Sequence, residues 1–334
     1  TGAPTGEPTP VTMPNDELSR IDVKADRIVF AAPDDDGQAV RIDLPERPDA
    51  LGTVRPVTRG TLFVQRPRLS PDGTRVVFHT PVGTGFQDIY VVDVDGSDLR
   101  RLTEDPFRDR GVGWHPDGER LVFYTDRSGS YEIWTMRADG RDSRMISDIA
   151  ERGLDSPWYP RVSADETSVA TLNEAGITIW DLEPATGMMT APRAPRHPSG
   201  LTFFSSAEWH PSRLALLGWI AEEIEGSASI WTYDVADDAW TELVSTADAR
   251  GWQSMAFAPD GETVYARRPD DAIVAFDLDD APLPDLFDPR ARVVAEDIPV
   301  FGIDVAPDGR WLLAGTRAQA SEIWGATLVT GDGE

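Results

Sequence analysis

The chain of 334 residues contains no cysteine. That excludes disulfide staples, thiolate nucleophiles and cysteine-bound metals, so stability must come from packing. Lysine occurs once, at Lys24, and histidine four times, at His79, His115, His197 and His210. No apolar run approaches the roughly 20 residues that a membrane-spanning helix needs, and no transmembrane segment is expected. Positive charge is also scarce: 31 Lys and Arg face 58 Asp and Glu, a formal net charge of −27. A chain that tracks nucleic acid needs a basic footprint, so no nucleic-acid partner is expected. Charge of this size serves solubility more directly than it serves a site.

What the chain does have is regular punctuation. Ser70-Pro71-Asp72-Gly73 reads as a tight turn, in which Pro presets φ and Gly accepts positive φ. Arg75-Val76-Val77-Phe78 follows as a β-branched and aromatic strand, and Asp88 to Asp93 as another. Asp95-Gly96 then suggests a two-residue hairpin loop. The unit recurs as Trp114-His115-Pro116-Asp117-Gly118 through Asp139-Gly140. Anchors fall at Pro71, Pro116, Ala164, Pro211, Pro259 and Pro307, with gaps of 45, 48, 47, 48 and 48 residues. Four short strands repeated at this period predict an all-β propeller, because one blade cannot bury both of its faces.

Thr1 to Pro14 is a small, Pro-rich, polar tether. Arg27-Ile28-Val29-Phe30 lies 48 residues before Arg75-Val76-Val77-Phe78, which predicts a degenerate first blade. One propeller domain over 15–334 then holds seven four-stranded antiparallel blades, at about 15–58, 59–103, 104–147, 148–193, 194–245, 246–293 and 294–334. Six blades is the alternative, if 15–58 is an extension. The last copy lacks a fourth strand of its own after Glu322 to Val329. An N-terminal strand around Thr9 to Met13 is expected to supply it and close the ring.

Leu69-Ser70-Pro71-Asp72-Gly73 through Leu102-Thr103, and Trp114 through Gly140, resemble the PD40 (WD40-like) repeat of TolB-type propellers. Ala258-Pro259-Asp260-Gly261 and Ala306-Pro307-Asp308-Gly309 carry it more loosely. The resemblance implies an extracytoplasmic, periplasmic or cell-surface protein that binds a protein or peptide at its channel rim without catalysis, and it allows a scaffolding role as a subunit of an envelope assembly. A tether of this composition also suits a lipoprotein whose anchoring cysteine lies upstream of Thr1. Relatives with similar blades include prolyl oligopeptidase-type enzymes, but no G-x-S-x-G elbow occurs here. Oligogalacturonate lyases supply the alternative, a carbohydrate-active propeller acting on or binding acidic oligosaccharides. Function on such a scaffold has to be argued from its site.

No catalytic residue can be nominated. The histidines show no H-E-x-x-H or other metal-ligand spacing. His115 and His210 occupy one repeat slot, before the turn proline. No cofactor is expected. Calcium is the one ion for which oxygen-rich turns such as Asp34-Asp35-Asp36 offer ligands, though without the spaced D-x-D-x-D-G pattern. The more telling signal lies in the loops joining fourth to first and second to third strands, which share one face of a propeller. They gather Arg108, Arg110, Arg127, Arg152, Trp158, Tyr159, Arg196, His197, Trp219, Arg250, Trp252 and Arg317 on an otherwise acidic chain. Arginine grips carboxylates bidentately, and aromatic rings anchor peptides or stack on sugars. Those residues are the candidate binding set. The competing roles are packing between blades and rim ion pairs.

Overall fold

The computed structural model describes residues 20–24, 27–31, 38–45, 47, 50–58, 63–82, 86–174, 176–197, 203–221, 227–248, 254–298, 300–316 and 323–327. Two compact units are present, one of 36–317 and one of 1–35 with 318–334. In the smaller, strands Arg20–Lys24, Arg27–Ala31 and Ile323–Thr327 form an antiparallel three-stranded sheet.

The larger unit is a propeller of six blades, not seven. Blade one runs from Gln65–Leu69 to Arg100–Arg101, blade two from Arg110–Trp114 to Arg144–Met145, and blade three from Trp158–Val162 to Met189–Arg193. Blade four runs from Phe203–Trp209 to Ala239–Asp248, and blade five from Met255–Phe257 to Arg292–Ala295. Blade six is composite. Val300–Val305 and Trp311–Thr316 form its inner half, and Gln38–Asp43 and Thr53–Pro56 its outer half.

That composite blade corrects the expected first blade. Gln38–Asp43 does not pair with Arg27–Ala31. It pairs antiparallel with Trp311–Thr316, in the register Ile42 to Leu312 and Val40 to Ala314. The reason is burial: Ala39, Val40 and Ile42 are all buried there, and their apolar atoms would lie exposed on a free hairpin. Ile323–Thr327, expected as the third strand of the last blade, instead pairs with Arg27–Ala31. The ring is closed by N-terminal strands, as expected, but by 38–56. Thr9 to Met13 lie outside the described residues.

Six apolar clusters, one at each blade interface, form the core. Phe78, Val92, Trp311 and Leu313 join blades one and six, so the ring has no open face. Phe123, Leu121 and Val77 join blades one and two. Leu217, Val244, Phe257 and Phe276 join blades four and five. There, Leu283–Asp285 from blade five lies parallel to the outer strand of blade four, Val244 opposite Leu283. This fifth strand clasps the two blades across their rim.

The turns differ from expectation in one respect. Asp93 N donates to the Ser97 carbonyl (2.9 Å) and Gly96 N to the Asp93 carbonyl (2.8 Å), with Gly96 alone at positive φ (86°). This is a type I turn followed by a left-handed glycine, not a two-residue loop. Asp139-Gly140 repeats it, with Gly140 also at 86°.

Candidate functional site

The six innermost strands lie side by side around a central channel and run in one direction along it. Each carries a residue three positions before its turn anchor: Arg68, Gly113, Arg161, Glu208, Ala256 and Asp304. All six line a cavity of about 460 Å³ that opens between the first-to-second strand turns. Pro71, Pro116, Pro211, Pro259 and Pro307 surround its mouth, and Trp114, Trp209 and Phe257 contribute to its walls.

The cavity floor is charged. Arg68 on blade one reaches across to Glu208 on blade four and grips both its oxygens, Nη1 to Oε2 at 3.0 Å and Nη2 to Oε1. Arg161 stands 3.8 Å from the same carboxylate. Asp304 accepts hydrogen bonds from Leu69 N (2.8 Å) and Val305 N (3.0 Å), which ties blade six to blade one. Two guanidinium groups and two carboxylates thus meet where little water enters. The two arginines respond in opposite directions. Burial opposes the charge of Arg68, yet Glu208 and Asp304 outweigh it and its pKa is raised. Arg161 is brought down to about 9, chiefly by burial and then by Arg68, because its carboxylate is farther away. Burial pushes Asp304 up, partly offset by Arg68. The indole N–H groups of Trp114 and Trp209 donate to the carbonyls of Arg68 (3.1 Å) and Arg161 (2.8 Å), so each holds the arginine strand of the preceding blade.

A second cluster lines the channel farther along, between blades one, two and three. The Arg66 guanidinium lies 3.8 Å over the Tyr159 ring. Tyr159 meets Tyr124 edge-on at 5.9 Å, Tyr124 meets Tyr131 at 5.5 Å, and Arg110 lies 6.0 Å from the Tyr131 ring. Gly111 makes this possible. Its φ is +61°, and a Cβ there would stand 2.6 Å from Tyr124 Cε1. His79 is buried against the same group. Its pKa falls to about 3, through burial first and then the charges of Arg66, Arg110 and Arg161. Burial likewise raises Tyr124 above the usual phenol range.

The expected binding residues therefore divide. Arg110 and Tyr159 come together in the channel. Arg127 chelates the fully buried Asp109 at 2.7 and 2.8 Å and lies 5.1 Å over the Trp134 ring. Arg108 pairs with Asp126 (3.2 Å) and Arg152 with Asp148 (2.5 Å), both at the surface. Arg196 is exposed. Trp158 packs between blades two, three and four, and Trp219 is buried between blades four and five. His197 is wedged edge-on between Trp231 (4.4 Å) and Trp240 (5.0 Å), and burial lowers its pKa. Arg250, Trp252 and Arg317 lie outside the described residues. Among the described residues, no three histidine or carboxylate side chains are grouped to hold a metal ion.

Arg68, Arg161, Glu208 and Asp304 were not singled out from the sequence. The signal was present in the repeat itself: aligning the copies on their turns places four charged residues in one inward slot.

A closed ring of six antiparallel blades with a cavity at one end of its channel defines a β-propeller. Residues 51–190 match the family model described as the TolB beta propeller domain, PD40. Residues 51–190 are therefore TolB-like PD40 repeats. An uncharacterized protein of Agrobacterium fabrum is 33% identical over 94 residues, 28% of this chain and 30% of that protein. The Tol-Pal system protein TolB of Bordetella pertussis is 37% identical over 59 residues, 17% of this chain and 14% of that protein. The chain therefore matches less than a third of the length of either relative. Among solved structures, TolB from Acinetobacter baumannii superposes with a TM-score of 0.52 at 13% identity, covering 88% of this chain and 66% of that one. A chain of a nidogen/laminin complex gives 0.55 at 11% identity, covering 78% and 97%. At such identities the likeness concerns the fold.

Proposed function

We propose that this chain is a non-catalytic, extracytoplasmic TolB-like propeller that engages a protein or peptide partner at a mouth of its channel. The observation that carries the reading is the 460 Å³ cavity, with its ring of turn prolines, aromatic walls and charged floor. A concave, partly apolar site with a few convergent polar groups is where a propeller binds. The Arg68–Glu208 pair bridges the channel beneath it, so a partner is read at the mouth and does not thread through. The Tol-Pal system named for the Bordetella relative favours an envelope partner and, with the Pro-rich tether, a periplasmic or membrane-anchored location. The acidic-oligosaccharide alternative draws no comparable support from these relatives.

Paired substitutions that change the charge of each rim locate the partner. Pro259→Arg with Pro307→Arg alters the cavity mouth. Arg108→Glu with Arg196→Glu alters the opposite rim, where the sequence placed the site. The wild-type protein is used as bait in envelope extract, and the proposal predicts that captured partners are lost with the proline pair alone. Loss with the arginine pair alone moves the site to the other rim. Retention by both pairs contradicts binding at a channel mouth.

A further inference from the structure

Four of the buried nitrogens without an acceptor lie in one part of this molecule. Among the described residues Arg68 Nε, His79 Nδ1, Arg110 Nε and Arg161 Nε are all enclosed and make no hydrogen bond. They sit on blades one, two and three. Leaving such a group unpaired is costly, and native folds rarely tolerate several together. Three of them converge on the tyrosine cluster. Arg161 Nη1 donates to the carbonyl of Gly111, next to Arg110 (3.4 Å), and to that of Pro160 (2.9 Å). Arg110 stands opposite Tyr124 in the register of blade two. His79 stands opposite Gln65, the residue before Arg66. His79 and Arg161 are each more than nine-tenths buried.

Donors in excess and positive charge together call for an acceptor-rich anion. The amount of charge indicates which kind. Arg161 is already partly neutralised by Glu208 at 3.8 Å. His79 is neutral in these surroundings. Arg110 has no carboxylate partner among the described residues and contacts only the Tyr131 ring. Among these three side chains that leaves about one uncompensated positive charge, with Arg66 engaged on the Tyr159 ring beside them, and one charge suits a carboxylate monoanion better than a phosphate dianion. The planar fork of arginine matches a carboxylate geometrically.

We propose that the channel wall formed by His79, Arg110 and Arg161, beside Tyr124 and Tyr159, is a receptor for a single carboxylate group. The group is either that of a small free acid or the C-terminal end of a peptide. The site shares Arg161 with the cavity floor but none of the residues of the mouth, and acetate binding there does not depend on partner capture at the mouth.

With four histidines in the chain, imidazole proton resonances resolve the site, and His79→Gln assigns the His79 signal by its disappearance. Sodium acetate is titrated against sodium chloride at matched ionic strength. Acetate is expected to move the His79 resonance saturably and chloride not. Arg110→Met is expected to weaken the acetate curve at least about tenfold, since a charge-assisted pair is lost. Arg110→Lys should fall between, which guards against a folding defect in the first variant. Arg108→Met, at the surface, should leave the curve unchanged. Triglycine and its C-terminal amide then separate the sources. Tighter binding by triglycine, with an inactive amide, assigns a peptide end. Triglycine no tighter than acetate assigns a small free acid. Identical effects of acetate and chloride, or a wild-type curve in both Arg110 variants, overturn the proposal.

Discussion

Replacing Glu208 with Gln keeps the volume of the side chain and removes one charge from the channel floor. Arg68 and Glu208 have side-chain exposures of only 10% and 12%, so water screens the pair poorly. Arg68 and Arg161 would then face each other with Asp304 as the sole carboxylate, itself held above the usual range by burial. Breaking a buried pair from one side costs roughly 3–5 kcal/mol, because the surviving charge stays buried. For a chain of this length that corresponds to a melting temperature lower by roughly 6–10 °C. Replacing both partners, as Arg68→Met with Glu208→Leu, should recover most of the loss, since a desolvated pair contributes little net stability against apolar residues of similar volume. Urea unfolding followed by tryptophan fluorescence measures all three proteins. A Glu208→Gln cost below about 1 kcal/mol, the range of exposed pairs, would refute the reasoning and mean that water reaches the floor freely.

Further outcomes follow from the same structure. The folded pKa of His79, about 3, lies below its ordinary 6.5, so the folded state binds fewer protons. The resulting stability is complete above about pH 6.5 and drains away as the pH falls toward 3. Between pH 7 and pH 5 the loss is about 2 kcal/mol, and His79→Gln should lack that part of the acid sensitivity in urea titrations at the two pH values. Asp109→Asn, which strips the chelated partner from Arg127, should cost about 3 kcal/mol. Arg152→Ala, at an exposed pair, should leave the melting temperature nearly unchanged. Thermal melts separate the two. Gly111→Ala must fit a Cβ 2.6 Å from Tyr124 at positive φ and should cost about 1–3 kcal/mol, with a changed near-ultraviolet tyrosine signal.

Much of the propeller is legible in the sequence because its turns are local. Ser70 to Gly73 and His115 to Gly118 specify their own geometry, and Gly73 and Gly118 take the positive φ that the turn needs. The blade count is not local. Gln38–Asp43 is a plausible third strand for any blade, and only the missing outer half of blade six determines where it pairs. The likeness of Arg27–Phe30 to Arg75–Phe78 reflects a shared strand pattern, not a shared position in the ring. At the site, arginine and aromatic side chains stand out in a loop whatever they do. Arg127 and Trp219 look like binding residues until their partners and burial are seen. Arg68, Glu208 and Asp304 draw no notice along the chain. Their relation exists only across the channel, between residues 140 positions apart in the case of Arg68 and Glu208.

The six-bladed ring closed by residues 38–56 is tested most directly by cross-linking, which the absence of native cysteine makes clean. Gln38 and Thr316 are directly opposed strand partners, and opposed Cα atoms lie roughly 4.5–5.5 Å apart, within disulfide reach. The variant Gln38→Cys with Thr316→Cys should form an intramolecular disulfide quantitatively under mild oxidation of the native protein, read by peptide mass without reduction. Gln38→Cys with Ala31→Cys, the pairing that a separate first blade requires, should stay reduced. A disulfide in the second variant and none in the first would contradict the account.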